Sequence, residues 1–415
     1  MLYVAQGIPF GLVLMALPPY LAANGVDPLA IGGFLSAALL PHGIKLINAP
    51  LMDRWTYWPM GKRRPWVLIA QLALILALIA LSFIPDPSRN LSLLTIGCFV
   101  VMFCGAFQDV ATDGMAVDLL PIEDQPKASS IMFGGVTLSG AGAAVATGWL
   151  LSEFGLAATA ILSAFAVSLI ALIPLVARER PGERLLPWTA GKANQSRGLP
   201  PKNFREIALN VKRYFLLPAS LLLALAIFIY GISRGIHLSL MPVYFVQELG
   251  WSDTEFSSIS GVALMAGGGF AILFGGALLD TLGRRQTFVL GGGLLAVLAI
   301  LVAALPTLGE SEFIMSAYRV AYNTLDTLIV VASIAIGMAI STRIIAATQF
   351  AIYMAMSNVG YSLGSALFGQ LQLALSYSQV FIVFAVVAVI GTVVMRAVAI
   401  ETHAKRSLEL EAEVA

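Results

Sequence analysis

A few charged and amide side chains interrupt long apolar runs, and their spacing suggests what they could do. Residues 108–118 read Gln108-Asp109-Val110-Ala111-Thr112-Asp113-Gly114-Met115-Ala116-Val117-Asp118. Asp109 and Asp113 are four apart, so on a helix they share one face. Two carboxylates this close repel, and a proton held by one relieves the repulsion, so the pair suits carrying a proton. Asp118 falls about 140° round from Asp113 and reads as structural. Residues 41–48 read Pro41-His42-Gly43-Ile44-Lys45-Leu46-Ile47-Asn48. Lys45 precedes Asp53 by about two helical turns and can reach Asp109 or Asp113. A buried Lys–Asp pair serves either structure or a proton or substrate switch, and both readings stay open. His42 reads as a packed polar residue.

The later part of the chain carries a second set. Tyr230 and Arg234 are four apart, with His237 following. Arg319, Asn323 and Asp326 fall at i, i+4 and i+7, one polar stripe beside Tyr318 and Tyr322. Guanidinium groups suit carboxylate and phosphate, so Arg234 and Arg319 are expected to hold an anionic group. The structural alternative has Arg319 and Asp326 neutralise charges on other helices. Gln349, Tyr353 and Asn358 either line a cavity with neutral hydrogen-bonding groups or help helices associate, with Ser357 and Gly360 permitting close approach. Cys98 and Cys104 sit in one apolar segment and read as small buried residues. With three His and two embedded Cys, no nucleophile–base set or metal-ligand set forms, so neither an enzyme nor a cofactor or metal is expected.

The elements that must position these groups follow from composition. The chain has 415 residues, 59% hydrophobic and 11% charged, with net charge +1, and its mean hydropathy is +0.88. A soluble domain is about half apolar and about a quarter charged, which excludes a soluble multidomain protein. Low charge and high hydrophobicity also exclude a disordered chain. An outer-membrane barrel would alternate apolar and polar residues, and these runs are unbroken. No basic block interleaves with aromatics, so no nucleic-acid partner is expected. The reading is an all-α polytopic membrane protein in a lipid bilayer.

A membrane helix needs about 20 apolar residues. Twelve segments qualify, near 2–23, 28–51, 66–84, 91–119, 127–151, 156–177, 214–247, 254–279, 286–305, 312–340, 343–372 and 378–400. No basic residue precedes the first, so it is expected to be a retained span. With both termini inside, Arg89 is the one basic residue in the outer loops, and most of the others lie opposite. Both termini are therefore expected to be cytoplasmic. Ionisable groups at bilayer depth are costly and mark pathways or partners, which singles out Lys45, Asp109, Asp113, Arg234, Arg319 and Asp326. The polar stretch 178–213 divides the chain into six-helix bundles at 1–177 and 214–400, with a tail at 401–415. It reads as a solvated cytoplasmic linker.

The halves repeat. Ala49-Pro50-Leu51-Met52-Asp53-Arg54, then Gly61-Lys62-Arg63-Arg64, matches Gly276-Ala277-Leu278-Leu279-Asp280, then Gly283-Arg284-Arg285. Asp53 and Asp280 are 227 apart, and Pro18-Pro19-Tyr20 matches Pro242-Val243-Tyr244 at 224. The loop resembles the cytoplasmic signature of the major facilitator superfamily. The second copy fits closely, whereas Ala49 replaces the leading Gly of the first and Trp55 to Met60 lengthen its turn. A carboxylate there can cap a neighbouring helix and pair with arginines. Asp53, Arg54, Asp280, Arg284 and Arg285 are thus expected to form a cytoplasmic gate.

Four stretches resemble the peptide/acetyl-coenzyme A transporter family within that superfamily, and its muropeptide permeases in particular. They are Tyr3-Val4-Ala5-Gln6-Gly7-Ile8-Pro9-Phe10-Gly11, Lys45 to Arg54, Gln108 to Gly114, and Ala347-Thr348-Gln349-Phe350-Ala351. The usual aromatic two residues before the span-two Pro is here Asn48. The resemblance covers 1–400 and implies a monomeric twelve-helix carrier in the cell inner (plasma) membrane. It implies Gln6, Lys45, Asp109, Asp113 and Gln349 along a central pathway. Lys45, Asp109 and Asp113 are expected to couple protons. Gln6, Gln108, Tyr230, Arg234, Arg319, Asn323, Asp326, Gln349 and Tyr353 are expected to bind a small polar, partly anionic solute. The implied function is proton-coupled import of a solute such as a muropeptide by alternating access. A siderophore, an acetyl-coenzyme A type solute and a receptor that does not transport remain the alternatives.

Overall fold

The computed structural model describes residues 2–48, 51–52, 55, 57–119, 125–191, 204–341 and 346–403. These described residues are helical, with no strand among them. Twelve long helices form in chain order: α1 Leu2–Ala23, α2 Pro28–Ile44, α3 Arg64–Leu81, α4 Leu91–Leu119, α5 over 125–154, α6 over 156–176, α7 Pro218–Glu248, α8 Asp253–Leu282, α9 Arg284–Ala304, α10 Glu312–Ile340, α11 Ala346–Gln372 and α12 Tyr377–Arg396. A shorter linker helix, Phe204–Phe215, precedes α7.

Nine stretches of the described residues are long and apolar enough to cross a membrane. One of them, Gly134–Val176, holds parts of both α5 and α6. The break between these two helices is Gly155 at φ 74, ψ −178, a conformation that glycine adopts without a Cβ clash. The remaining two of the twelve are α2, which is shorter, and α11, whose Gln and Ser residues dilute its apolar content. Cys98 and Cys104 are buried free thiols, as expected.

The chain divides into two compact units, Met1–Pro200 with Pro242–Met265, and Pro201–Met241 with Ala266–Ala415. The Pro242–Met265 segment joins the first unit through particular contacts. Gln247 Nε2 donates to the Ala22 and Val26 carbonyls at 3.0 Å each. A β-carbon on Gly261 would strike the Ala141 carbonyl.

Glycine pairs seat α1 in the first unit and α7 in the second. In the first, a β-carbon on Gly7 would meet Ser139 and Gly140, and one on Gly11 would meet Ala143 and Ala144. In the second, Gly231 and Gly235 of α7 lie against the backbone of α11 at Ser357 and Tyr361. Gly360 and Gly364 of α11 lie in turn against Phe228 and Ile232 of α7. These reciprocal small-xxx-small pairs bring two backbones into contact, which packs helices tightly in lipid. Gly7 and Gly231, like Gly11 and Gly235, are 224 apart, the offset of the proline motifs. The duplication therefore extends to helix packing. Gly235→Val sets a side chain against the Tyr361 carbonyl, which cannot rotate away. The expected result is destabilisation at the upper end of the about 1–3 kcal/mol typical of overpacking, read as a lower melting temperature in detergent.

Residues 178–191 are tied to the first unit by particular hydrogen bonds while about half of them stay exposed. Arg64, 1% exposed at the start of α3, donates to Pro174 O at 2.7 Å, Leu175 O at 3.0 Å, Arg184 O at 3.0 Å and Leu185 O at 2.6 Å. It thereby satisfies carbonyls that the end of α6 leaves open. Glu179 accepts from the Arg63 and Arg64 amides at 2.8 and 3.0 Å, and Arg184 N donates to Pro59 O at 2.8 Å. The Glu183 carboxylate accepts from Arg180 N at 3.0 Å, and burial raises its pKa above the ordinary value. Arg64→Lys replaces a planar fork by one ammonium that cannot serve four carbonyls. Each carbonyl left buried and unpaired costs about 1–3 kcal/mol. Tryptic cleavage after Arg178 and Arg184 should therefore accelerate in this variant, and unchanged cleavage would refute the clamp.

Candidate functional site

In the first unit, α2 ends in a tighter turn at Lys45–Ile47, three residues after His42 and four after Pro41. This ending delivers Lys45 towards α4. Lys45 Nζ pairs with Asp109 Oδ2 at 3.0 Å, and both side chains keep about a fifth of their surface exposed. Of the two partners the spacing allowed, the structure selects Asp109. Asp113, one turn on, accepts a hydrogen bond from the Tyr3 hydroxyl of α1. Two carboxylates on one helix face are thus engaged separately, one by a cation and one by a phenol.

Three amides lie on the elements that carry Tyr3, Lys45 and Asp109. Gln108 is buried and donates from Nε2 to Leu2 O at 3.0 Å, while its Oε1 has no hydrogen-bond partner among the described residues. Gln6 lies one turn along α1 from Leu2, and its buried Nε2 also lacks a partner among the described residues. A buried polar group without a partner is costly, so an orphaned donor and an orphaned acceptor mark where a further group can be received. Asn48 is likewise buried with Nδ2 unsatisfied.

In the second unit, α7 and α10 build a compact cluster. Arg234 grips Asp326 with both ends of its fork, Nε to Oδ1 at 2.8 Å and Nη2 to Oδ2 at 3.0 Å. Tyr230 OH donates to Asp326 Oδ1 at 2.6 Å. The four-residue spacing of Tyr230 and Arg234 thus converges on one carboxylate. The guanidinium lies over the Tyr361 ring, 4.6 Å from its centre, a cation–π arrangement. His237 bonds Tyr318 OH at 3.1 Å and stacks on Tyr322 at 3.3 Å between ring centres. Arg319 is buried in the same cluster.

Other predicted residues lie elsewhere. Asn323 donates to Arg319 O on its own helix at 3.0 Å, which spends its amide on the backbone. Gln349 and Tyr353 form a buried network with Ser220, with hydrogen bonds of 2.8 to 3.0 Å. Ser220 is fourteen residues before Arg234, about 21 Å along α7, so this network is apart from the arginine cluster. Asp280 is exposed at the end of α8. Arg284 and Arg285 donate to the carbonyls of Ala335 and Val398 at 3.3 and 3.1 Å. They hold α10 and the end of α12 to the α8–α9 turn, where Gly283 takes φ 86. Asp53, Arg54 and the Asp118 side chain lie outside the described residues. Tyr3, Tyr361 and Ser220 are partners that the sequence did not single out. Only Tyr3 carried a signal, as a phenol in the apolar first span.

The sequence profile of the Major Facilitator Superfamily matches residues 1–228 and again 223–414. The Anhydromuropeptide permease of Escherichia coli (strain K12) is 25% identical over 360 residues, covering 86% of this chain and 70% of that protein. The Putative transporter AmpG 3 of Rickettsia typhi is 28% identical over 123 residues, 28% of this chain and 29% of that protein. Among solved structures, a POT family transporter in complex with thioalcohol conjugated peptide superposes with a TM-score of 0.69 at 15% identity, over 95% of this chain and 94% of that one. The nucleoside transporter NupG gives 0.64 at 14% identity, over 96% and 100%. At these identities the two structures establish the fold.

Proposed function

The chain belongs to the major facilitator superfamily and is a multi-pass membrane transporter; from that premise we propose that it imports a polar, partly anionic solute, of muropeptide type, together with protons. The observation that carries this reading is the Lys45–Asp109 pair, flanked by Asp113 and by the unsatisfied amides of Gln6 and Gln108. A proton arriving at these carboxylates weakens an ion pair, and a solute supplies the missing hydrogen-bond partners. Both events change the energy of one site, which is what coupling requires. Arg234 and Arg319 are the guanidiniums suited to an anionic group of the solute. The permease from Escherichia coli supports the muropeptide class as the substrate.

In this proposal the two six-helix bundles, 1–177 and 214–400, alternate access around the site. Both termini face the cytoplasm across the inner membrane, and Asp53, Arg54, Asp280, Arg284 and Arg285 form the inner gate. The test is uptake into proteoliposomes with and without an inward proton gradient. A muropeptide, a siderophore and acetyl-coenzyme A are supplied in parallel. Gradient-dependent accumulation of the muropeptide alone is expected. Accumulation of another solute instead would overturn the substrate class. Equal uptake without the gradient would overturn the coupling, and binding without uptake would point to a receptor.

A further inference from the structure

Two buried atoms of the first unit have complementary chemistry and no hydrogen-bond partner among the described residues: Gln108 Oε1, an acceptor, and Gln6 Nε2, a donor. The Leu2 carbonyl decides which end of the Gln108 amide is left over. Only the nitrogen can donate to it, at 3.0 Å, so the oxygen is turned away. Buried polar atoms are rarely left unpaired, and these two do not bond each other.

The backbone fixes where they lie. In an α-helix the Leu2 carbonyl also takes the Gln6 backbone N–H, so the Gln108 amide sits beside the turn that carries Gln6. Around the axis of α1, Gln6 falls about 40° from Leu2 and about 60° from Tyr3, between the two. Leu2 is bonded through its carbonyl by Gln108, and Tyr3 bonds Asp113 through its hydroxyl, so the sector that holds Gln6 faces α4. The next residue, Gly7, is pressed against Ser139 and Gly140 of α5, which holds the rotation of α1. Lys45 and Asp109, the latter adjacent to Gln108 in the chain, keep about a fifth of their side-chain surface exposed, so solvent reaches this region.

The neighbouring charges are engaged, Lys45 with Asp109 and Asp113 with Tyr3. What the two amides present is a neutral donor and a neutral acceptor on separate side chains. A carboxylate or phosphate brings acceptors alone and would set an oxygen against Gln108 Oε1. An ammonium brings donors alone and would leave Gln6 Nε2 unanswered. A secondary amide brings one C=O and one N–H on separate atoms.

We infer that Gln6 and Gln108 form a subsite for a secondary amide of the solute, with Gln6 Nε2 donating to its carbonyl and Gln108 Oε1 accepting from its N–H. The inference rests on the reading of this region as the solute site and adds the group recognised there. The amide is either an acetamido substituent of a sugar or a peptide bond. A site that hydrogen-bonds an N–H rejects an analogue lacking it, because its own buried acceptor is then left unpaired.

The test is calorimetric binding to the full-length protein in detergent. The probes are a disaccharide with acetamido groups and no peptide, an N-acetylated dipeptide with no sugar, and the analogue of each with ester oxygen in place of every amide nitrogen. The wild type should bind one amide probe at least about tenfold more tightly than its ester, and which probe shows the preference identifies the source of the amide. Gln108→Met removes the acceptor and should abolish the preference. Gln6→Met removes the donor to a carbonyl that amide and ester both carry, so it should weaken both by a similar factor and keep the preference. Because it also removes a buried donor without a partner, its melting temperature should not fall, which separates lost recognition from lost fold. Equal binding of amide and ester by the wild type, an unchanged preference in Gln108→Met, or binding of no probe would overturn the subsite. Muropeptide uptake by the same protein keeps the two readings apart. Uptake without an amide preference would strike the subsite alone, and an amide preference without uptake would strike the muropeptide alone.

Discussion

Asp109→Asn should abolish gradient-driven accumulation of solute while solute-for-solute exchange continues. Asn keeps the size of the side chain and an oxygen that can still face Lys45 at the 3.0 Å contact. What it removes is the charge that pairs the ammonium and the ability to take a proton. Exchange needs only that the loaded carrier reorient, so it should fall by no more than a few-fold. Accumulation needs the proton. One charge moved through 100 mV is worth about 2.3 kcal/mol, and about 1.4 kcal/mol is a factor of ten. The coupled protein should therefore concentrate solute about forty-fold more than the variant at that potential. Tyr3→Phe should give a milder defect, because it frees Asp113 of its phenol without removing a carboxylate. Lys45→Gln combined with Asp109→Asn removes both charges. It should restore stability lost by either change alone and leave accumulation absent. Unaltered uptake by Asp109→Asn at every pH would sink the assignment of Asp109 to coupling.

Much of the frame was legible because bilayer-spanning helices are written as long apolar runs, and the twelve expected spans correspond to twelve helices. The Lys45–Asp109 pair was legible for the same reason: a charge inside such a run needs a partner, and only a few carboxylates were available. Tyr361 was hidden because its role is to offer a ring face to Arg234, and an aromatic residue in an apolar helix reads as filling. Ser220 was hidden because its partners, Gln349 and Tyr353, are far along the chain, and no periodicity links the two helices. The glycine seam stood in plain view at the 224-residue offset, but among 38 glycines two more matches carry little weight until a backbone is seen against each. The segment 178–191 was legible only in part. Its Pro, Gly and charges read as a solvated linker, and they do not disclose that Arg64 and Glu179 also tie it to the first unit through contacts with backbone atoms. Contacts of that kind carry no pattern of residue types.

The second large effect is expected at Asp326, where structure and function can be pulled apart. Asp326 accepts two bonds from Arg234 and one from Tyr230. Asp326→Asn leaves the Arg234 guanidinium without its charge partner in a largely buried site. Removing one member of a buried ion pair costs about 3–5 kcal/mol, whereas removing both is often close to neutral. The single variant should therefore melt several degrees lower in detergent, and adding Arg234→Gln should return most of that loss. If the pair were purely structural, the double variant would transport normally once stability returned. If Arg234 also holds the anionic group of the solute, the double variant should fold and still need at least about tenfold more solute for half-maximal uptake, since a charge-assisted hydrogen bond contributes about 1.5–3 kcal/mol. Arg234→Lys sharpens the distinction. It keeps the charge, and so most of the stability, but an ammonium cannot reproduce the two-pronged grip on Asp326 or the planar stack on Tyr361. A shifted half-saturation with a nearly unchanged melting temperature would identify Arg234 as a binding residue, and normal uptake by the double variant would confine it to the scaffold.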